Sequence, residues 1–258
     1  MFERLQKPFL TVETGEAYQP IRLTYQLTQE TALVNTLNQL KCLEKSPTGL
    51  AWHWVWRDEA AALHFESVAS YQKNDDRPIR LGTLSIRDKH LYINLPSFKR
   101  ACLCVPFFDR LIDFNTAHVI RADFINKVFG LDERLHHGFA ELFNDDELEK
   151  IIEERTCAYT KAQKQCEQAS SPEEALKILS EYTKHESEKR LPYAERYHFN
   201  TPANHDPDVA FLGFYIFLRG RELVAIRRWF GNIGYSLADA ADETMEQVFG
   251  GMDIDILD

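Results

Sequence analysis

The chain has 258 residues, of which 44% are hydrophobic, 12% aromatic and 27% charged, with a formal net charge of −10. That is apolar mass for one large core or two small ones, and it excludes a disordered chain. Residues 134–258 carry the whole acidic excess, 24 acidic against 14 basic side chains, while residues 1–133 hold 16 of each. This balance argues against general nucleic-acid binding, which needs clustered positive charge. The longest apolar run, 209–218, is about half the length of a spanning helix. No signal-peptide pattern is evident, and five cysteines without metal-finger spacing suit a reducing compartment. A cytoplasmic protein that does not touch a membrane is the expectation.

Alternation of Ile21, Leu23, Tyr25 and Leu27 predicts a strand over 20–27. Leu33, Leu37, Leu40 and Leu43 then fall at helical spacing, predicting a helix over 28–45 closed by the turn 46–49. Trp52, Trp54 and Trp56 alternate strictly, so a strand there projects three indoles from one face and His53 and Val55 from the other. Aromatics at this period favour a face packed on the preceding helix over an exposed stacking platform. Residues 79–97 form the clearest hairpin, two alternating runs about Asp88-Lys89-His90. A helix over 97–114 is capped by Ser97 and kinked or ended at Pro106. The apolar stretch 118–130 fits a strand or a helix equally.

Beyond residue 133 the pattern turns helical. Leu148, Ile152, Tyr159, Ala162 and Cys166 form a buried stripe on one helix. Ser171, Pro172 and Glu174 open the next in cap, first-turn and reciprocal-cap register, giving an antiparallel helical hairpin joined near 169–171. A loop over 191–206 leads through Asp206 and Pro207 into an apolar helix to about Leu218, open to extension over 221–230. The stretch 231–234 breaks it, and Ser236 caps a last helix ending at Phe249.

Candidate sites are few. His198, His205, Asp206 and Asp208 crowd into one stretch, and all are ligand types for zinc, iron or manganese. Glu181 and His185, four apart on the preceding helix, would complete a divalent transition-metal site. Yet no helix sets the spacing of the two histidines, and Asp206 and Asp208 suit the start of the next helix. A polar loop is the stronger expectation. His137 and Glu141 make a second i,i+4 pair, in keeping with a solvated helix face. Cys102 and Cys104 lack a second pair and read as small buried hydrophobes. No phosphate loop, nucleophile elbow or local Cys/His signature occurs. The one dense basic and aromatic cluster lies at 219–230, where Arg227, Arg228 and Trp229 are placed to grip an anion. Proximity to a helix C-terminus explains the same residues without a ligand. In the tail, Met252, Ile254 and Ile256 alternate with Asp253 and Asp255, and Leu257 follows, a strip suited to adding itself to a partner's sheet edge.

The expected fold is α+β: an N-terminal, mostly antiparallel sheet covered by one or two helices, then a mainly helical region. The seam is placed at residue 133, giving 1–133 and 134–258 as two units or one continuous domain. The expected function is a non-catalytic binding or regulatory protein with no cofactor, contacting another protein through its acidic helical half or its tail. The alternative is a metal-dependent hydrolase or oxidoreductase using Glu181, His185, His198, His205 and Asp208.

Overall fold

The structure, a computed structural model, describes residues 8–65, 78–133, 142–143, 145–188, 190–199 and 207–249. The elements are β1 (Ile21–Leu27), α1 (Glu30–Gln39), β2 (Leu43–Lys45), β3 (Ala51–Val55), β4 (Arg80–Arg87), β5 (His90–Leu95), α2 (Phe98–Asp109) and β6 (Ala117–Ile125). Then follow α3 (Asp145–Glu167), α4 (Pro172–Glu188), β7 (Ala194–His198), α5 (Pro207–Trp229) and α6 (Leu237–Phe249). The strands form one antiparallel sheet in the order β2-β3-β4-β5-β1-β6-β7, and the later part is mostly helical, so the fold is α+β.

Side chains alternate across a strand, so the register sorts whole rows of residues to one face or the other. Trp52, Leu84, Ile93, Leu23, Ala122 and Tyr197 stand opposite one another across six strands. This row belongs to the main core, which α1 joins through Leu33 and Leu37, α2 through Phe98 and Phe108, and α5 through Phe214 and Leu218. Trp52, Trp54, Leu33 and Leu37 are at most 1% exposed, and burying side chains of this size contributes about 1.5–3 kcal/mol each. The indoles are therefore core, Trp56 included. On the opposite face the register aligns His53, Thr83, Asn94, Arg22, Asp123 and Arg196.

Local signals hold where the chain closes on itself. Asp88 and Lys89 both adopt positive φ (49° and 59°), the backbone of a two-residue hairpin turn, and His90 already begins β5. The hydroxyl of Ser97 accepts from the Arg100 N–H, and that of Ser171 from the Glu174 N–H. The Glu174 carboxylate reaches back one residue further than the pattern implied, accepting from the N–H and hydroxyl of Ser170. Residues 118–130 resolve as strand β6 through Ile125.

Four expectations are corrected. The helix from 28 stops at Gln39 and not at Lys45, because Leu43 pairs with Trp54 as β2 and buries there. The Glu59 carboxylate accepts from the N–H groups of Lys41 and Cys42, satisfying the backbone where the chain turns. Pro106 does not end α2, which runs on to Asp109 with Val105 and Phe108 buried on either side. Tyr159 does not belong to a buried stripe on α3, since it is 54% exposed while Ala162 is 6% exposed. Finally, 191–206 is not all loop: 194–198 is strand β7, which crosses from the second half to pair with β6. α5 is one helix from Pro207 to Trp229, ended by Gly231 at φ 95°, a conformation that costs glycine nothing.

Candidate anion-binding cleft

Three segments from distant parts of the sequence converge where β6 and α5 end and β7 begins. After β6 the chain continues through Asn126 to Val128, and the Asn126 N–H donates to the Tyr193 carbonyl at 2.8 Å. The Asn126 side-chain amide donates to the Pro192 carbonyl (3.0 Å) and to the Glu195 carboxylate (2.6 Å), pinning the entry to β7 against the exit of β6. That same carboxylate accepts from Arg221 Nε (2.7 Å) and Nη2 (3.2 Å) in a nearly solvent-free ion pair, with Glu195 2% and Arg221 9% exposed. A buried charge is tolerated only when paired and hydrogen-bonded in this way. The last two turns of α5 are thereby held against both loops.

Between these segments lies a cleft of about 470 Å³. Arg190, Arg228 and Lys127 line it with the rings of Tyr193 and Trp229, and among the described residues its lining contains no acidic side chain. Lys127 is engaged, paired with Glu133 and set over the Phe129 ring. The two guanidinium groups are less engaged. Arg228 donates from Nε to the Tyr235 carbonyl at 2.9 Å, which leaves its Nη donors without a protein acceptor among the described residues. Arg190 has no carboxylate partner among the described residues. Burial, and then the neighbouring charge of Arg190, hold the Arg228 guanidinium below the ordinary arginine range. Like charges placed together without a counter-charge are a ready anion site, and guanidinium forks match the oxygen spacing of carboxylate and phosphate. The Asn126 Oδ1, buried at the same cleft, accepts no hydrogen bond among the described residues. Among the described residues the lining holds no histidine, cysteine, serine or carboxylate.

Of the three residues expected to grip an anion, Arg228 and Trp229 line this cleft. Arg227 points elsewhere: its Nη2 donates to both carboxylate oxygens of Glu243 on α6, at 3.0 and 3.1 Å. Arg190 and Lys127 escaped the sequence reading because nothing local marks them; they arrive through β-pairing of chain segments more than sixty residues apart.

The metal constellation fares differently. Glu181 sits on α4 with its carboxylate 4.0 Å from the Lys177 ammonium, and His185 shares its groove between α3 and α4. His198 ends β7 at the far edge of the sheet, opposite Arg121. Among the described residues no group of three or more His, Cys, Asp or Glu side chains is arranged to hold an ion. His205, Asp206, the Asp208 side chain, His137 and Glu141 lie outside the described residues, as does the tail from Met252 to Leu257. Cys102 and Cys104 are buried in the core. No helix among the described residues is long and apolar enough to cross a membrane.

Comparison with protein-family models gives no match, and neither curated proteins nor solved structures show significant similarity to this chain.

Proposed function

We propose that the protein is a non-catalytic binding protein that takes an oxyanion, presented by a small molecule or by a partner protein, into the cleft between β6, β7 and α5. The observation that carries this reading is the side-by-side placement of Arg190 and Arg228, without an acidic residue in the lining, on a chain whose net charge is −10. The apolar walls from Leu191 and Val224 and the ring of Trp229 suit a ligand whose anionic head carries an apolar or aromatic body. Cysteine chemistry does not compete with this reading. Burial pushes the thiols of Cys42 and Cys102 up to about 12 and that of Cys104 well above its ordinary value, so all three stay protonated at neutral pH. Free thiols at Cys42, Cys102, Cys104 and Cys166 support a reducing compartment, the cytoplasm in our reading.

The acidic helical half belongs to the same proposal as a partner-facing surface, since Tyr159, Leu176 and Leu179 on α3 and α4 stand exposed beside its charges. The test is calorimetric titration with phenyl phosphate, benzoate and inorganic phosphate at two salt concentrations. Phenyl phosphate or benzoate should bind more tightly than inorganic phosphate, and affinity should fall with salt. Arg190→Ala and Arg228→Ala should each cost about tenfold or more, the scale of a charge-assisted hydrogen bond. Binding that is absent in the parent protein, or that survives both substitutions unchanged, removes the cleft from the proposal.

A further inference from the structure

A second cavity, of about 330 Å³, lies on the other side of α5, between the segment 9–17, the first turns of α2 and the middle of α5. Its outer wall is a tight loop. The Val12 N–H donates to the Glu16 carbonyl and the Gly15 N–H to the Val12 carbonyl, with Gly15 at φ 93°. Arg100, 1% exposed, clamps that loop from inside. Its Nη1 donates to the Arg80 and Leu81 carbonyls, and its Nη2 to the Thr14 hydroxyl (2.9 Å) and the Glu13 carboxylate (3.3 Å).

Glu16 meets this clamp only loosely, as an ion pair with Arg100 Nε in which that Nε also makes no hydrogen bond among the described residues. Its side chain is 4% exposed, and its nearest cation, Arg100 Nε, stands 3.8 Å from Oε1. Neither carboxylate oxygen accepts a hydrogen bond among the described residues. A buried carboxylate without donors is costly, because the water it gave up is not replaced by protein hydrogen bonds. Glu16 also lines the cavity, so a ligand there can supply the missing donors. Lys99, from the first turn of α2, lines it too and has no ion pair or hydrogen bond among the described residues. The neighbouring Arg219 and Glu222 neutralise one another at 2.6 Å. Phe9, Phe98, Leu218 and Ile226 supply apolar wall. A buried carboxylate short of hydrogen-bond donors and an unpaired ammonium in one small, partly apolar cavity suit a dipolar ligand with an apolar body.

We propose that this cavity binds a zwitterion of amino-acid size with an apolar side chain, its ammonium donating to Glu16 and its carboxylate accepting from Lys99. The site is separate from the cleft that carries the proposed function and stands or falls independently of it.

The experiment is calorimetry and thermal unfolding of the full chain with L-leucine and L-phenylalanine. Two half-ligands accompany them: 3-methylbutylamine, which lacks the carboxylate, and 4-methylpentanoate, which lacks the amine. At least one amino acid should bind and raise the melting temperature, and the matching half-ligands should bind about tenfold or more weakly. Lys99→Met should weaken the amino acid by about tenfold while leaving 3-methylbutylamine unchanged. Glu16→Gln should do the converse, sparing 4-methylpentanoate. If Glu16→Gln does not fold, because Arg100 then lacks part of its counter-charge, the partly exposed Lys99 still decides the matter. The proposal is overturned if neither amino acid binds at millimolar concentration, or if Lys99→Met binds leucine and phenylalanine as tightly as the parent protein does.

Discussion

Two ends of one stretch of α5 treat the same residue type in opposite ways. Arg221 is 9% exposed, stacks over the Phe217 ring at 3.3 Å and is closed by both oxygens of Glu195. Arg228, two turns later, meets the Asn126–Val128 segment, where the facing side chains carry no negative charge. Arg227 beside it turns outward to Glu243, with half of its side chain exposed. Helix propensity and charge are alike in all three cases. What differs is the facing strand or loop, which brings a carboxylate to Arg221 and brings Arg190 to Arg228. An arginine is structural where a buried acid meets it, and under the proposed function it is left for a ligand where a second cation does.

The comparison breaks most visibly at Glu195. Replacing it by Ala strands the Arg221 charge and frees the Asn126 amide, and losing one partner of a buried pair costs about 3–5 kcal/mol. Denaturant unfolding of Glu195→Ala should register a loss of that size; a loss below about 1 kcal/mol would mean that water reaches Arg221 and the pair is not structural. Next in size is the cleft. Arg228→Ala should change stability by no more than about 1 kcal/mol, because the side chain is partly solvated, while anion affinity falls at least about tenfold. A complementary change sharpens the contrast. Ala225→Glu places a carboxylate on the cleft three residues before Arg228 and should abolish anion binding with folding intact, turning the proposed ligand site into an ordinary helix ion pair. Retained binding in that variant would show that the ligand does not sit on Arg228. The smallest effect belongs to Arg227→Ala, where solvent screens the pair with Glu243. Neither the unfolding midpoint nor anion affinity should shift measurably, and a clear loss of affinity would return Arg227 to the site.

Legibility along the chain follows the range of the interaction responsible. The Ser97 and Ser171 caps, the Asp88-Lys89 turn and the alternation through β1 are each decided within a few residues, and each appears where the pattern puts it. The Trp52, Trp54, Trp56 row was legible for the same reason, since strand periodicity is local even when the core it enters is not. β7 was not legible. Ala194–His198 has no alternating apolar pattern, and its charged residues find their partners on other elements, Arg196 with Asp123 of β6 and Glu195 with Arg221 of α5. Half of the candidate cleft was visible as the Arg228-Trp229 dipeptide, and the other half waited on β7 to carry Arg190 into place.

The sequence by itself determined the presence and order of the helices, the turns, the apolar face of the sheet and the location of the acidic excess, because periodicity, capping and composition act over a few residues or over none. Tertiary structure alone decided three matters. The helix begun at Glu30 stops at Gln39 because pairing Leu43 with Trp54 outweighs one more helical turn. The second half returns a strand to the first half's sheet because buried ion pairs at Asp123 and Glu195 compensate for the apolar pattern that β7 lacks. Among otherwise equivalent arginines, the only one of Arg221, Arg227 and Arg228 to face a second cation in a cleft is Arg228, since the charge opposite each side chain is set by residues far away in the sequence.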